Sequence, residues 1–294
     1  MTRLLTDTDS LADEAAWSEE FESDNELTDE ALARVSPDKP RANQAPPGGK
    51  LMVCATPIGN LGDITRRVIQ ALTQADAILA EDTRVAARLC RHLQIKTPLE
   101  RCDEHVIRQR TASIVERIRS GECLAYVSDA GTPAISDPGA SLVAAVRAAG
   151  LTVEVLPGPS AVLTALVASG FTATNFYFAG FFPRKKAGRL TMLTSLAELN
   201  AALVFFESPN RVVAALQAIE EVFPDRLVCL AREMTKLYEE VLVDTASELL
   251  SILEARERPL KGEVVIVIDG TAKPAAKTHV DKYGDLANML RGTT

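Results

Sequence analysis

The sequence lacks long apolar runs and has few of the side chains that build disulfide frameworks or zinc sites. No stretch of its 294 residues reaches the roughly 20 apolar residues of a membrane-spanning helix, and no apolar segment follows Arg3 as in a secretory signal. The five cysteines are scattered without a Cys-x-x-Cys pair, and the histidines and acids lack metal-ligand spacing. We therefore expect a cytoplasmic protein that binds neither a membrane nor a metal.

An excess of negative charge is confined to the first part of the chain. Residues 1–50 hold 12 acidic and 5 basic side chains, whereas the remaining residues hold 28 and 27. The net charge of −8 therefore does not argue against a nucleic-acid partner for the rest of the chain. We predict that residues 1–49, which end in a Pro- and Gly-rich stretch, form a disordered acidic tail, and that residues 271–294 form a short second tail.

From Leu51 onward, short apolar runs alternate with segments of helical period. This alternation predicts an α/β fold with two lobes. Residues 50–170 form the N-terminal lobe, a mostly parallel sheet with helices on both faces. Residues 171–270 form a mixed α+β C-terminal lobe, because three of its strands come late with one helix between the last two.

Four loops rich in glycine, proline, serine and acids follow predicted strands, at the sheet edge where open α/β folds bind ligands. They are Thr56–Asp63, Ala80–Arg84, Ser128–Gly139 and Leu156–Ala161. The third is long and dense enough in these residues to favour a functional loop, with amides, hydroxyls and carboxylates for a ligand that carries an ammonium, a carboxylate and a ribose. The other three loops are explained equally simply as turns in which Asp63, Asp82 or Ser160 caps the next helix.

Taken in order, these loops resemble the tetrapyrrole methylase superfamily, and within it the bacterial ribosomal RNA (cytidine-2′-O)-methyltransferases. The matching runs are Thr56–Leu61, Ala80–Arg84, Val127–Gly139, Leu156–Pro159, Gly180–Pro183, Phe206–Ser208, Ala231–Lys236 and Lys261–Glu263. The resemblance covers residues 51–270, and it is the ordered set rather than any single run that makes it specific.

The resemblance implies a homodimeric enzyme that holds S-adenosylmethionine between two lobes and methylates a ribose 2′-hydroxyl of small-subunit (16S) ribosomal RNA. By position, the cofactor residues are Ile58, Asp129, Ala130, Gly131, Thr132, Pro133, Pro159, Ser160, Phe206 and Ala231. The family's His-Asp/Glu-His-Asn-Glu run is replaced here by Cys102–Val106, so the role of that run does not carry over. The longer C-terminal helical region of relatives is reduced or missing.

A ribose hydroxyl is a weak nucleophile at neutral pH, so a base or strong hydrogen-bond acceptor should assist it. The candidates are Glu81, Asp82, Glu104 and His105. A histidine at the start of a helix is more often structural, and the sequence leaves the choice among the four open.

Local basic segments must contact the RNA, since the whole chain is acidic. The densest is the segment Pro183–Arg189, from which Arg184, Lys185, Lys186 and Arg189 are predicted to bind phosphates. Arg84, Arg88 and Arg91 would share one helix face and form a second candidate for RNA binding. The simpler interpretation is that this face is only exposed to solvent.

Two other functions fit the same sequence. A tetrapyrrole C-methyltransferase would use the same fold on a polyanionic macrocycle, although the Glu81–Arg84 and Gly180–Pro183 runs favour the RNA branch. A non-catalytic, ribosome-associated protein that binds the cofactor is the second alternative, suggested by the altered Cys102–Val106 segment.

Overall fold

The computed structural model describes residues 48–270, in ten strands and eight α-helices. The predicted tails, apart from Gly48 and Gly49, lie outside the described residues. The strands are β1 Lys50–Cys54, β2 Ala77–Ala80, β3 Leu99–Arg101, β4 Cys123–Val127, β5 Thr152–Leu156, β6 Phe176–Phe181, β7 Ala202–Glu207, β8 Leu227–Arg232, β9 Glu240–Thr245 and β10 Val264–Ile268. The helices are α1 Arg66–Gln74, α2 Thr83–His92, α3 Glu104–Arg119, α4 Ala140–Ala148, α5 Ala161–Ala168, α6 Lys186–Ser195, α7 Val212–Val222 and α8 Ala246–Glu254. None of the described helices is long and apolar enough to cross a membrane.

The first sheet is parallel throughout, in the order β3-β2-β4-β1-β5. Its central strands are buried on both faces because successive side chains of a strand point to opposite sides. Leu51 and Val53 of β1 pack with α3 and α4, whereas Met52 and Cys54 pack with α1 and α2. The predicted parallel sheet with helices on both faces is confirmed.

The second sheet is mixed, in the order β6-β7-β10-β8-β9. Strands β6 and β7 run parallel, and every other neighbouring pair is antiparallel. Helices α6, α7 and α8 cover one face through a large apolar cluster. The predicted mixed lobe is therefore also confirmed.

Helix α5 packs on the second sheet and not on the first. Its buried residues Val162 and Ala165 lie in one cluster with Val204 of β7 and Val265 of β10. The predicted lobe boundary after Gly170 assigns α5 to the N-terminal lobe, although the helix packs on the sheet of the C-terminal lobe. An uncharged eight-residue helix fits the face of the second sheet that α6, α7 and α8 leave open.

Two local features differ from the sequence prediction. Strand β3 was not predicted, because a three-residue edge strand with one apolar residue carries no clear pattern. The apolar pattern of this segment predicts a helix from Ile107, but α3 begins at Glu104, since Asp103 Oδ1 accepts a hydrogen bond from the Val106 amide at 2.9 Å and caps the helix.

The strand order places one crevice at the centre of the first sheet. The chain leaves β1 towards one edge and leaves β4 towards the other, so the loops after these adjacent strands diverge. Thr56 and Gly131 bridge the two loops with backbone hydrogen bonds of 2.9 and 3.0 Å. The crevice that they flank is where a parallel sheet of this kind binds its ligand.

Candidate functional site

A cavity of about 450 Å³ opens where this crevice faces the second sheet, and we call it the cleft cavity. Seven of the ten predicted cofactor residues line it, namely Ile58, Asp129, Ala130, Gly131, Thr132, Ser160 and Phe206. Its walls come from the loops after β1, β4, β5 and β7 and from the start of β10. Segments far apart in sequence therefore meet at one ligand-sized space.

The three remaining predicted cofactor residues do not line the cavity. Pro133 is buried in its loop, and Ala231 is fully buried within β8. The carbonyl oxygen of Pro159 accepts a hydrogen bond from Thr132 Oγ1 at 3.3 Å. These residues can shape the cavity, but none of their side chains is on its surface.

The Ser128–Gly139 loop has a strained backbone. Ala134 and Ser136 have φ values of 71° and 60°, a region that side-chain-bearing residues seldom occupy. Gly131 has a φ of 73°, and a Cβ placed there would lie 3.4 Å from Ile58 Cγ2. Such strain persists where the surrounding structure enforces it, most often at binding sites.

The cleft cavity also contains acids that the sequence analysis did not single out. Asp137, Glu207 and Glu263 line it, although all three fall within runs that carry the family resemblance. Burial is the largest influence on Asp137 and raises the pKa of its carboxyl. The Glu207 side chain is fully buried, with Oε2 3.1 Å from Arg211 Nη2 and Oε1 accepting from the Ser208 amide at 2.7 Å. The cavity is thus apolar with an acidic lining, which suits a cationic ligand.

A second cavity of about 350 Å³ adjoins the first, and we call it the side cavity. It lies between the loop after β1, helix α2 and the turn after β8. The two cavities share Ile58, Asp129, Ala130 and Glu263 as wall residues. A ligand in one would therefore lie beside a ligand in the other.

The lobes are in direct contact beside the side cavity. The Asn60 amide donates a hydrogen bond to Thr235 Oγ1 at 3.1 Å, and Lys236 Nζ lies 2.8 Å from Glu233 Oε1 and 2.9 Å from Glu263 Oε2. A Cβ on Gly59 would lie 2.5 Å from Lys236 Cγ, so this close approach requires glycine. The contact fixes the loop after β1 against the second lobe.

None of the four predicted catalytic residues lines either cavity. Asp82 caps α2 by accepting from the Arg84 amide at 2.8 Å, and its pKa is held low first of all by the side-chain hydrogen bond from Arg84. Glu81 lies next to the crevice, and its pKa is raised by burial and then by the charges of Asp129 and Asp137.

The other two candidates lie on the exposed first turn of α3. Glu104 pairs with Arg108 one turn along the helix, and His105 Nε2 lies 3.0 Å from Gln109 Nε2. Both side chains therefore have partners on their own helix, away from the residues that line the cavities.

Asp129, predicted only to bind the cofactor, is the acid of the first lobe that faces both cavities. Its Oδ1 accepts a hydrogen bond from the Asp82 amide at 3.1 Å, which fixes the side chain. Burial raises the pKa of its carboxyl, against the lowering effect of that hydrogen bond. A carboxylate with a raised pKa at a junction of cavities has the position and basicity of a proton acceptor.

The predicted RNA-binding residues are only partly available. Arg184 and Lys185 are exposed, and Lys186 is exposed but pairs with Glu221 at 3.0 Å. Arg84 is exposed although ion-paired to Asp82. Arg189 corrects the prediction, because it is only 5% exposed and its Nη1 donates to the Ala214 carbonyl at 3.5 Å. Helical period places Arg189 on the buried side of α6 with Leu193.

In the part of the chain from 48 to 270, no three His, Cys, Asp or Glu side chains are grouped as metal ligands.

Comparison with known proteins gives several relatives of the same name. A Thermotoga maritima protein named "Ribosomal RNA small subunit methyltransferase I" is 45% identical over 222 residues, which are 76% of this chain and 99% of that one. A Bacillus subtilis protein of the same name is 40% identical over 247 residues, 80% of this chain and 84% of that one. Because the Thermotoga relative is matched over nearly its whole length, a long C-terminal region is not general among these proteins.

Solved structures of low sequence identity share the fold. A cobalt precorrin-4 methyltransferase of cobalamin biosynthesis is 18% identical with a TM-score of 0.56, over 76% of this chain and 96% of that one. A Thermus thermophilus uroporphyrin-III-C-methyltransferase is 21% identical with a TM-score of 0.51, over 81% and 98% of the two chains. The family described as Tetrapyrrole (Corrin/Porphyrin) Methylases matches residues 50–250. The chain therefore belongs to the tetrapyrrole methylase family, in the branch of the ribosomal RNA small subunit methyltransferases I.

Proposed function

We propose that this chain is an S-adenosylmethionine-dependent methyltransferase that modifies a cytidine 2′-hydroxyl in small-subunit ribosomal RNA. The observation that carries the proposal is the identity of 40–45% to relatives named for methylation of small-subunit ribosomal RNA, over most of the chain. The 2′-hydroxyl and the cytidine come from the resemblance of the loops described above. Such a substrate implies that the protein works where ribosomes are, in the cytoplasm.

The cleft cavity fits the cofactor by size and by chemistry. A volume of about 450 Å³ lies within the usual range for small-molecule sites. Its acids Asp129 and Asp137 oppose the positive sulfonium and ammonium groups, while Phe206 and Ile135 offer apolar surface to the adenosine. The predicted residues Ile58, Ala130, Gly131, Thr132 and Ser160 complete the site, whereas the predicted residues Pro133, Pro159 and Ala231 do not line it.

Bound S-adenosylmethionine supplies a methyl group on a positively charged sulfur, already activated for transfer to an oxygen. The chain's own task is then to hold the hydroxyl at about 3 Å from that carbon and to receive its proton. We assign the receipt of the proton to Asp129, because this acidic residue lines both cavities. Its carboxylate would accept the hydroxyl proton while the methyl carbon passes from sulfur to oxygen, which breaks the carbon–sulfur bond and leaves a neutral thioether, and it would release the proton to water afterwards. Glu81 is the alternative base, and Asp82, Glu104 and His105 are less suitable because each is bound to a neighbour outside the cavities.

The function is tested by incubating the full chain with labelled S-adenosylmethionine and small subunits from a strain that lacks the gene. Nucleoside analysis should find label on one ribose 2′-oxygen. Label on a base would contradict the proposal, and label only on a porphyrin precursor would favour the tetrapyrrole alternative that the solved neighbours represent. Cofactor binding without any transfer would favour the non-catalytic alternative.

Arg184 and Lys185 are the exposed cations proposed to bind RNA phosphates. Replacing both by Ala should weaken RNA binding, because each cation bound to a phosphate displaces a counterion from the RNA. The log–log salt slope should become shallower by about one for each phosphate that is no longer bound. Filter binding to small subunits at several salt concentrations measures both effects.

Lys96→Ala with Arg147→Ala is the matched control, because it removes the same charge at exposed positions near the amino ends of β3 and β5, opposite the cavities. If both double variants bind RNA alike, the Arg184–Lys185 segment is a surface turn, and RNA must enter along the Arg84–Arg88–Arg91 face of α2.

We further propose that the protein is a homodimer formed through α5. This helix has no charged residue, and Leu163 and Val167, four residues apart on its outer face, are 52% and 80% exposed. A second copy is the occupant that the family resemblance implies. Light scattering should give twice the chain mass of 31.7 kDa, and Val167→Arg should reduce it to the monomer mass. An unchanged dimer in this variant would exclude α5 as the interface.

A further inference from the structure

The side cavity has the composition of a nucleoside site. Its apolar wall includes Leu61, Val85 and Leu89, which offer a surface for the face of a base. Thr56 and Ser128 add hydroxyl-bearing residues. At about 350 Å³ it is within the range of small-ligand sites, at the lower end.

Arg88 supplies the positive charge that a nucleotide phosphate needs. It is exposed where α2 borders the side cavity, and within residues 48–270 it forms no ion pair, whereas Arg84 one turn earlier is bound to Asp82. Its charge acts on Asp129 and offsets part of the rise in the pKa of that carboxyl, which burial causes. An unpaired guanidinium beside an apolar wall suits a ligand with one anionic group and one flat apolar group.

Because the two cavities share wall residues, a ligand in the side cavity would lie next to the methyl donor in the cleft cavity. Transfer of a group requires donor and acceptor in adjacent spaces, with the reacting atoms about 3 Å apart. Ile58, Asp129 and Ala130 form walls of both cavities, so an occupant of the side cavity meets the donor at Asp129. In duplex or stacked RNA a ribose is not free to enter such a space, so the nucleotide must leave the stack.

We propose that the side cavity receives the acceptor nucleoside of the RNA, turned out of its stack, with its base against Leu61, Val85 and Leu89 and its phosphate at Arg88. The proposal rests on the proposed function and adds to it the site of the second substrate. A polyanionic macrocycle would not fit this cavity, because the space is small and Arg88 is its single unpaired cation among the described residues.

Val85→Trp in the full-length protein tests the proposal, because an indole at this position fills the side cavity and leaves the wall of the cleft cavity unchanged. We expect methyl transfer to small subunits to fall about a hundredfold or more, with the affinity for S-adenosylhomocysteine unchanged by calorimetry. Ile252→Trp, a similar enlargement on α8 outside both cavities, should leave both quantities unchanged. Transfer by Val85→Trp at the wild-type rate would overturn the proposal.

A second measurement keeps the test decisive if Val85→Trp does not fold. The photoreactive residue benzoylphenylalanine is placed at Leu61, which is 42% exposed and lines only the side cavity, or at Ile252 as control. The Leu61 variant should crosslink to small-subunit RNA at or next to the methylated nucleotide. Equal crosslinking from Ile252, or crosslinks elsewhere, would refute the site. Failure of the unchanged protein to methylate RNA would instead refute the proposed function, and the Leu61 crosslink would still show whether a nucleotide enters the cavity.

Discussion

Asp129→Asn is expected to lower the rate of methyl transfer by about a hundredfold to ten-thousandfold, the usual contribution of a positioned base. The substitution is nearly isosteric, and the asparagine Oδ1 can still accept the hydrogen bond that the Asp82 amide donates at 3.1 Å. The fold and the thermal midpoint should therefore change little. Single-turnover transfer to small subunits measures the rate, and calorimetry measures the affinity for S-adenosylhomocysteine, which should fall much less.

The pH dependence separates a base from a structural group. Only the ionised carboxylate accepts a proton, so the wild-type rate should fall as the pH falls through the pKa of Asp129. Burial raises that pKa, so the acid limb should lie above the usual aspartate value of about 3.9. The limb should be absent in Asp129→Asn.

Glu81→Gln is the matched control, since it removes the same charge from a neighbouring carboxyl that lines neither cavity. A large loss in Glu81→Gln together with a small loss in Asp129→Asn would transfer the role of base to Glu81.

Gly131→Val should lower the affinity for S-adenosylmethionine by about tenfold to a hundredfold, which corresponds to about 1.4–2.8 kcal/mol. The Cβ would lie 3.4 Å from Ile58 Cγ2, and the two methyl groups beyond it would occupy space in the cleft cavity. The φ of 73° adds backbone strain of about 1–3 kcal/mol for a β-branched residue. Calorimetry with the cofactor measures the affinity, and thermal unfolding measures the strain.

Gly150→Val separates the two effects. Gly150 has a φ of 72° and open space around its Cβ position, and it lies between α4 and β5, near the amino end of that strand. This variant should be destabilised to a similar extent and bind the cofactor normally. Wild-type affinity in Gly131→Val would remove the Ser128–Gly139 loop from the proposed cofactor site.

Local patterns were enough to predict most elements of this fold. Buried strands such as Val264–Ile268 and Ala77–Ala80 carry unbroken apolar runs, because both faces of a central strand are covered. The predicted lobes and sheet types followed from the order of these runs. Strand Leu99–Arg101 was not predictable in this way, because its pairing with β2 supplies what its sequence lacks.

Some residues of the candidate site were likewise predictable from local sequence, and others were not. Loop composition identified Ile58, the Asp129–Thr132 segment and Ser160, since glycine, proline and short polar side chains cluster where a backbone approaches a ligand. It could not identify Glu207 or Glu263 as wall residues, because each lies in a strand or turn with no unusual composition.

The sequence by itself determined the α/β order, the family and the loops that surround the cleft cavity, because these depend on neighbours along the chain. Only the tertiary structure decided which charged groups face the cavities. It buried Arg189 against α7, left Glu104 and His105 out of the walls of both cavities, and placed Asp129 in the wall of each. Which side chains line a cavity depends on packing between segments far apart in the chain, such as those that carry Ile58 and Phe206, and local pattern carries no information about that packing.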